Sequence, residues 1–501
     1  MNYRMILYIL GWVFNILSAS LLLPTAVGLI YGEAEWSAYA LTALLSLFLG
    51  VMLTLKKPRK TVFFAKEGYV IVALSWTVMS VVGAVPFVIS KDIPNFVNAL
   101  FESASGFSTT GASILTEVES MSHETLFWRS FMHWLGGMGV LVFLLAILPL
   151  VGGHNMELMK AESPGPQVGK FVPKVRRTAV ILYGIYSVMT FAEFVALKLS
   201  GMPIFDSITI AVGTAGTGGF AVTNAGVAGY TSLQQSIITV FMILFSVNFG
   251  IYYLVLMRKF RQILKNEEFR WFVIVIVFSV LCITFNITNT VYGGNFREAL
   301  HHSAFSVATV VSTSGFATAD FNTWPQVSKF ILFVLMFMGA SAGSTGGGMK
   351  VSRFIILVKS AVREIESIIH PRSVKVVRLD NKRVEDEVLR RTHAYFLTCL
   401  IVYVVSVFII SFDNFDMVTS VTAVAATMNN IGPGLGKVGP MGNYSEFSAL
   451  SKLVLTFNMI AGRLEMFPMI VLLSPSTWKG SLGVVKRKTA SIKRKIIGIK
   501  A

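Results

Sequence analysis

Ten long apolar stretches constrain what this 501-residue chain can fold into. Most are as long as the ~20 residues that a helix needs to cross a bilayer. Only 14% of the residues are charged, whereas a soluble domain has about 25%. We therefore predict an all-α integral membrane protein. The stretches cover residues 5–31, 37–55, 68–90, 125–151, 178–200, 232–257, 271–291, 328–359, 393–412 and 449–474.

Lysine and arginine residues are concentrated in alternate connections between these stretches. The positive-inside rule then places both termini in the cytosol and predicts a multi-pass protein of the cytoplasmic membrane. This topology explains the net charge of +17 without a nucleic-acid partner. The basic segments also favour contact with anionic lipid, at ~1 kcal/mol per surface residue. Of 43 basic residues, 35 lie at Arg4 or within residues 56–66, 157–177, 258–270, 350–391 and 479–501.

No catalytic or metal-binding pattern stands out in the sequence. Cys282 and Cys399 lie in apolar stretches, so neither a disulfide framework nor a cysteine metal site is indicated. We interpret His133, His301 and His302 as packing or pore-helix residues, because no second histidine or carboxylate recurs at ligand spacing. We therefore predict that the protein is not an enzyme and that this chain holds no cofactor.

A glycine-rich run, GASAGSTGGGMK, covers residues 339–350. It fails as a phosphate-binding Walker A loop, since Met349 precedes Lys350 and Val351 stands where Ser or Thr is required. Apolar segments precede and follow the run, which favours a membrane helix that is broken in the middle. Irregular backbone at membrane depth is tolerated only inside protein or along a watery cavity, so the run points toward transport.

Four 14-residue windows align without gaps, and each has glycine at its thirteenth position. Each window follows an apolar stretch that ends outside and precedes one that returns inward. The windows are too short and too rich in hydroxyl groups to cross the membrane, so we interpret each as a half-helix that enters from outside and turns back. They are ALFESASGFSTTGA (99–112), SITIAVGTAGTGGF (207–220), SAFSVATVVSTSGF (303–316) and SVTAVAATMNNIGP (420–433).

The returning stretch of each repeat carries a helix-weakening group, which predicts four equivalent kinks. A cation pore requires rings of backbone carbonyls on strands that glycine allows to turn inward. Half-helices that enter from outside also direct their negative C-terminal ends to the membrane centre. We interpret the windows as pore loops, and the alternative is that their small residues only allow close helix packing. The groups are GGMG (136–139), NFG (248–250), GSTGGG (343–348) and AGR (461–463).

Several motifs resemble those of the Trk/Ktr/HKT superfamily of potassium transporters, most closely its bacterial Trk-type uptake branch. They are STTGA, TGGF, STSGF and NNIGPGLG in the windows, the run GASAGSTGGGMK and the final GRLEMFP. The resemblance covers nearly the whole chain. It implies four pseudo-symmetric repeats of span, re-entrant pore loop and span around one pore, preceded by an extra N-terminal helix pair.

The resemblance implies a division of the chain into six parts. Residues 1–62 would form the extra helix pair, and residues 479–501 a basic cytosolic tail. The third repeat would also contain an intramembrane gating loop and a basic cytosolic loop. The four pore repeats would cover residues 63–160, 161–265, 266–385 and 386–478.

A selectivity filter for potassium is implied as well. Family members with serine in the first loop tend toward sodium, so Gly111 implies potassium. The fourth window departs from the pattern, because it lacks Thr or Ser beside its glycine. The implied filter residues are Thr109, Thr110, Gly111, Thr217, Gly218, Gly219, Thr313, Ser314, Gly315, Asn430, Ile431 and Gly432.

The resemblance further implies a gate below the filter. An unwound segment has few internal hydrogen bonds, which suits a gate, although a static kink is the alternative. Arg463 lies in the middle of an apolar stretch, where an arginine costs ~2.5–3.5 kcal/mol and needs a partner. We interpret it as a positive barrier that contacts the glycine loop, and the alternative is an ion pair with a distant acid such as Glu193. The implied loop residues are Ala342, Gly343, Ser344, Thr345, Gly346, Gly347 and Gly348.

Together these features predict potassium uptake through a channel-like pore, with K⁺ as the transported ion at the filter. The alternative is a secondary transporter that couples K⁺ to Na⁺ or H⁺ and would use a midplane carboxylate such as Glu193 or Glu465. The resemblance implies a homodimer and a cytosolic ring of nucleotide-binding regulatory subunits. The chain has no nucleotide motif of its own, so a nucleotide is expected only on that partner.

Overall fold

The computed structural model describes residues 1–58, 65–139, 175–372 and 375–478. Within these ranges the regular structure is helical apart from one two-stranded hairpin. The predicted all-α membrane fold is therefore confirmed. Some predicted features lie partly or wholly outside the described residues: the end of the stretch 125–151, the basic segments 56–66, 157–177 and 479–501, and the domain boundaries at residues 62 and 160.

Among the described residues, six helices are long and apolar enough to cross a membrane without a break. Each coincides with a predicted apolar stretch. The shortest, Trp36–Thr54, has 19 residues. At ~1.5 Å per residue it is ~28 Å long, close to the thickness of the bilayer core. The six helices are Tyr3–Tyr31, Trp36–Thr54, Ala65–Ile89, Val175–Leu199, Glu267–Thr290 and Asp386–Ile410.

The four stretches that return from the windows are not single straight helices. The first, second and fourth helices end within two residues of the predicted glycine-containing group, and the third ends at Phe337, six residues before Gly343. Glycine weakens a helix and leaves room for neighbouring backbone. The two halves of the second returning stretch differ in direction by 93°. The segments are His123–Gly137, then Ser232–Ser246 with Phe249–Leu256, then Gln326–Phe337 with Val351–Ile369, and finally Ala449–Arg463 with Phe467–Leu473.

Four short helices of 12 to 17 residues precede the window glycines. They are too short to cross the bilayer. Asn95, Asn295 and Asp416 begin three of them, and each side chain accepts a hydrogen bond from an N–H group of the first turn. The short helices are Phe96–Phe107, Ile204–Gly216, Phe296–Ser312 and Met417–Met428.

Glycines bring the returning helices directly against the ends of the short helices. A Cβ built on Gly136 would lie 1.8 Å from the carbonyl oxygen of Phe107, and one built on Gly462 would lie 1.9 Å from that of Met428. Phe107 and Met428 occupy the same position in the first and fourth windows. Neither contact leaves room for a side chain, which explains why glycine stands at both breaks.

The first two helices form a pair that packs on the first repeat. Gly50 of the second helix lies so close to the first that an added Cβ would be 2.1 Å from the side-chain oxygen of Asn15. The first helix also contacts Ala65–Ile89 and His123–Gly137. The extra pair is therefore continuous with the rest of the helical core.

The remaining elements are short and lie in connections. Strands Arg378–Leu379 and Lys382–Arg383 pair antiparallel within the basic connection 350–391. Asp380 and Asn381 between them both have positive φ, 50° and 61°, as in a type I′ turn. The other short helices are Phe260–Lys265, Phe321–Thr323, Ser411–Asp413, Gly436–Val438 and Pro475–Trp478.

Candidate ion-conduction site

All four windows end in the same backbone turn. The eleventh residue has a left-handed φ between 56° and 59°, and the N–H of the twelfth donates to the carbonyl of the seventh. These features define a Schellman ending, which stops a helix and turns the chain. The fourth window follows the same geometry although it lacks Thr or Ser beside its glycine. The N–O distances are 2.9 Å for Thr110–Ser105, 2.9 Å for Gly218–Gly213, 2.9 Å for Ser314–Thr309 and 2.8 Å for Ile431–Ala426.

Threonine or asparagine occupies the left-handed position in every window, although glycine is usual there. An L-residue in this region costs ~1–2 kcal/mol, and β-branched residues are rarely found in it. Two of the threonines reach the glycine loop with their side chains. Thr217 Oγ1 donates to the carbonyl of Thr345 at 3.0 Å, and Thr313 Oγ1 accepts from the N–H of Gly347 at 2.7 Å. The strained positions thus make contacts that glycine could not make.

The other two left-handed residues, Asn430 and Thr109, lie against neighbouring windows and returning helices. Asn430 Nδ2 donates to Thr110 Oγ1 at 3.0 Å and to the carbonyl of Met459 at 2.8 Å. Asn430 therefore joins the fourth window to the first. Thr109 is fully buried, and its methyl group lies near Gly136.

The four window glycines meet in a closed ring. Each glycine contacts the backbone of the next window, and the fourth contacts the first. A Cβ on Gly111 would lie 2.8 Å from Gly219 N, one on Gly219 2.5 Å from Ser314 O, one on Gly315 2.4 Å from Ile431 O, and one on Gly432 2.6 Å from Thr110 O. Since real Cβ atoms essentially never approach so closely, only glycine fits at these four places. We call this arrangement the glycine ring.

Backbone oxygens are concentrated at the glycine ring. Those of Thr110, Ser314 and Ile431 lie at its contacts. The predicted filter residues are buried, except that Gly111, Gly219 and Gly315 are partly exposed. Carbonyl oxygens in such a ring can replace the water around a cation. The C-terminal ends of the four short helices, which carry partial negative charge, also lie at the ring.

One cavity lies at the ring and another lies at the glycine loop. One of about 160 Å³ is lined by all four ring glycines and by residues that follow them in sequence. The other, of about 100 Å³, is lined by the glycine loop together with Lys350, Arg463 and Glu465. The loop contacts Thr217 and Thr313, which precede the ring glycines. The ring glycines thus line the first cavity and the glycine loop lines the second, and the two threonine bonds join these two linings.

The glycine loop, residues 342–348, is bound to the break in the second returning helix. The carbonyl of Phe245 accepts from Thr345 Oγ1 at 3.0 Å, and Phe249 N–H donates to the carbonyl of Gly343 at 3.0 Å. Ser341 N–H donates to the carbonyl of Ser246 at 3.1 Å. Although the loop lacks helical bonds of its own, neighbouring backbone supplies partners, so a count of internal hydrogen bonds underestimates its stability.

Arg463 binds backbone carbonyls from two breaks at once. Its guanidinium donates to Thr345, Gly136 and Gly137, each at 2.7 Å. The residue thus contacts the glycine loop, as the sequence predicts. Glu193, the acid considered as its partner, is fully buried beside Thr214 of the second short helix. The barrier role of Arg463 stays a prediction.

Comparison with known proteins identifies the family. The family model named TrkH, described as a cation transport protein, matches residues 37–479. The chain belongs to the TrkH family. The Trk system potassium uptake protein TrkH of Salmonella typhimurium (strain LT2) is 35% identical over 486 residues, which cover 96% of this chain and 100% of that protein. The Trk system potassium uptake protein TrkG of Escherichia coli (strain K12) is 30% identical, with coverage of 95% and 99%.

The fold agrees with a solved structure of the TrkH family. The crystal structure of the potassium transporter TrkH from Vibrio parahaemolyticus matches with a TM-score of 0.86 and 31% identity, over 96% of this chain and 100% of that chain. The family resemblance indicated by the sequence motifs is thereby confirmed. Proteins of the TrkH family are membrane transport proteins and not enzymes, so the chain is a transporter.

A buried ion pair beside the glycine ring was missed by the sequence analysis. Arg129 lies 2.9 Å from Glu102, with side-chain exposures of 2% and 0%. Glu102 also accepts from the N–H of Ile114 at 3.0 Å, so the pair fixes the segment that follows the first glycine. The guanidinium stacks on the ring of Phe220, 4.2 Å from its centroid. The signal in the sequence was an acid inside an otherwise apolar and hydroxyl-rich window.

The sequence predicts only that His133 is a packing or pore-helix residue, and the structure shows what it packs against. Its Nδ1 lies 2.8 Å from the carbonyl oxygen of Gly106 in the first window. A Cβ on Gly218 of the second window would lie 2.3 Å from its ring. The imidazole therefore packs between the first two windows. Among the described residues, no group of three or more His, Cys, Asp or Glu could hold a metal ion.

We expect Glu102→Ala to destabilise the protein by ~3–5 kcal/mol, because it leaves Arg129 buried without its partner. The double variant Glu102→Ala/Arg129→Met should be more stable than Glu102→Ala alone, since no unpaired charge remains. The measurement is the free energy of unfolding in mixed detergent micelles. Lys437 and Glu446 form an exposed control pair, and Glu446→Ala should cost less than ~1 kcal/mol. Equal losses for the buried and the exposed pair would contradict this account.

Proposed function

We propose that this chain mediates potassium uptake across the cytoplasmic membrane through a channel-like pore whose selectivity filter is the glycine ring. The closed ring of glycine contacts carries the proposal, since backbone oxygens can surround one ion only where the segments meet. The names of the relatives support potassium as the ion, because TrkH of S. typhimurium and TrkG of E. coli are both named potassium uptake proteins.

In the proposed filter, K⁺ exchanges its hydration water for backbone carbonyl oxygens. The four short helices direct their C-terminal ends at the ring, and each end carries roughly half an elementary negative charge. Close packing of the glycines fixes the size of the ring, so the oxygens cannot move apart independently of one another. The proposed filter comprises residues 109–111, 217–219, 313–315 and 430–432.

We assign the proposed gate to residues 342–348 together with Arg463. The loop lies against the residues that precede the ring, and the guanidinium of Arg463 binds its middle at Thr345. A fixed positive charge in this position opposes the passage of a cation. Opening would require the loop to leave the pathway and to break its bonds to Thr217, Thr313 and Phe245.

The proposed partners follow from the family resemblance and from the distribution of charge. We propose a homodimer and a cytosolic nucleotide-binding regulatory subunit, with nucleotide on that subunit and not on this chain. The basic segments 350–391 and 479–501 would form the cytosolic face, and both termini would lie in the cytosol. This chain would carry K⁺ only as the transported ion.

A carrier that couples K⁺ to Na⁺ or H⁺ is the second candidate, and buried Glu193 is the observation that favours it. Glu465, the other candidate acid, forms an ion pair with Arg353. Uptake of ⁸⁶Rb⁺ into proteoliposomes distinguishes the two mechanisms. A pore takes up the tracer without any Na⁺ or H⁺ gradient, whereas a coupled carrier requires one of them to accumulate it.

Gly315→Ser should weaken the discrimination of K⁺ from Na⁺, because the new Cβ would lie 2.4 Å from the carbonyl oxygen of Ile431 and must displace it. We expect Na⁺ to compete with ⁸⁶Rb⁺ uptake roughly tenfold better, equivalent to ~1.4 kcal/mol. The matched control is Gly201→Ser, since Gly201 has a similar φ of 90° but nothing within 4 Å of an added Cβ. Unchanged competition in Gly315→Ser, or an equal change in both variants, would refute the filter assignment.

Deletion of residues 342–348 should raise the open probability in single-channel recordings, because it removes the proposed obstruction. Gly347→Ala is a smaller change with the same expected direction, since its Cβ would lie 2.7 Å from that of Asn430 and push the loop away from the fourth window. Gly229→Ala serves as the control, because nothing lies within 4 Å of a Cβ there. A deletion variant that folds and stays closed would show that the loop is a static kink.

A further inference from the structure

The glycine loop is held at both ends by one carboxylate. Glu268 Oε1 accepts from the N–H of Ala342 at 2.7 Å and from the N–H of Ser352 at 3.2 Å. Glu268 is 7% exposed. One oxygen therefore joins the start of the loop to the helix that follows it, across the whole break in the third returning stretch.

This carboxylate replaces a cap that the local sequence does not provide. Helix Val351–Ile369 begins after Lys350, which makes no side-chain capping bond. The first N–H groups of a helix need external acceptors, and a negative charge is favourable beside them. Ala342 lies in irregular backbone, where an unmet N–H group at membrane depth costs several kcal/mol. Glu268, on helix Glu267–Thr290, supplies the acceptor for both of these N–H groups.

The hairpin 378–383 fixes the helix end that carries Glu268. Asp380, at the turn of the hairpin, accepts from the N–H of Glu267 at 2.6 Å and from Asn266 Nδ2 at 3.3 Å. The N–H of Asp380 donates to Glu267 Oε2 at 3.3 Å. Glu267 is adjacent to Glu268 in the chain, so a displacement of the hairpin must move the backbone that places the carboxylate.

The helix after the loop is tied to the same hairpin. Lys359 forms an ion pair with Glu267 and donates to the carbonyl of Arg378 at 2.9 Å. Hairpin, helix start and post-loop helix are therefore joined at one place. Within the loop, Thr345 and Gly347 contact the threonines of the proposed filter. Hydrogen bonds, joined by short stretches of backbone, thus connect the hairpin to the window turns.

We infer that Glu268 is a positioning residue for the glycine loop, and that the hairpin 378–383, bound through Asp380, sets the position of Glu268 and so of the loop. Only the expected change in ion flux rests on the proposed function. The structural part of the inference, that the hairpin controls the stability of the loop, stands independently. A force that pulls the hairpin away from Glu267 would release both ends of the loop together.

The test is hydrogen exchange of the peptides that cover residues 339–352, measured by mass spectrometry on the full chain in lipid nanodiscs. Glu268→Ala should speed exchange of this segment roughly tenfold or more, because two N–H groups lose a charged acceptor. Glu268→Gln retains an oxygen acceptor and should restore much of the protection. Glu387→Ala is the matched control, since Glu387 pairs with Arg391 on an exposed helix face away from the loop. Native exchange in Glu268→Ala would overturn the positioning role.

Asp380→Ala tests the hairpin, because Asp380 is exposed and its carboxylate binds Asn266 and Glu267 and not the loop. We expect faster exchange at residues 339–352 in this variant and an effect that is less than additive with Glu268→Ala, since both act through one carboxylate. Additive effects, or native exchange in Asp380→Ala, would overturn the link to the hairpin. Measurement of ⁸⁶Rb⁺ flux in the same variants separates the effect on loop stability from the effect on ion conduction. Faster exchange with unchanged flux would refute the proposal that the loop is the gate. Altered flux with native exchange would refute the proposal that Glu268 and the hairpin position the loop.

Discussion

Four segments of one chain can meet at a common axis only if nothing larger than a hydrogen atom projects at their contacts. Each ring glycine lies so close to the next window that a Cβ would be 2.4 to 2.8 Å from its backbone. The same constraint applies at Gly136 and Gly462. There the absence of a side chain leaves room for a carbonyl group at the end of a short helix. The breaks in the returning helices and the position of the loop depend on these close contacts between glycines and neighbouring backbone. Because protein interiors are close-packed, a larger side chain at any of them must displace the backbone of another repeat.

The broken third returning helix raises a second constraint, since backbone groups at membrane depth must find partners within the protein. Here the partners are charged side chains and buried backbone carbonyls at the break in the second returning helix. Arg463 supplies donors to the carbonyl of Thr345, and Glu268 supplies an acceptor to two N–H groups. These charges are matched to backbone groups, which explains why they are present at a depth where isolated charges are costly. The loop is therefore stable only in the assembled bundle.

Features that repeat in the sequence could be predicted, and features that depend on distant partners could not. The glycine register, the short helices and the breaks recur four times, so each copy supports the others. Arg463 was predictable because it interrupts an apolar stretch. Glu268 carried no such signal, since an acid at the start of a membrane helix is common and its partners lie 74 and 84 residues away. Glu102 did stand out as an acid in its window, but its ion pair with Arg129 was missed because nothing local links positions 27 residues apart.

The threonines at the window turns connect the energetics of the ring with those of the loop. Glycine at these positions would remove a strain of ~1–2 kcal/mol per residue, yet threonine is present in three of the four windows. The bonds of Thr217 and Thr313 to the loop return a similar amount, ~1 kcal/mol each. If the loop moves away as proposed, these bonds are lost while the strain remains, so the turns become free to relax. Loop position and ring geometry are then coupled through the same two side chains, and a proposed gate built this way cannot open without acting on the proposed filter.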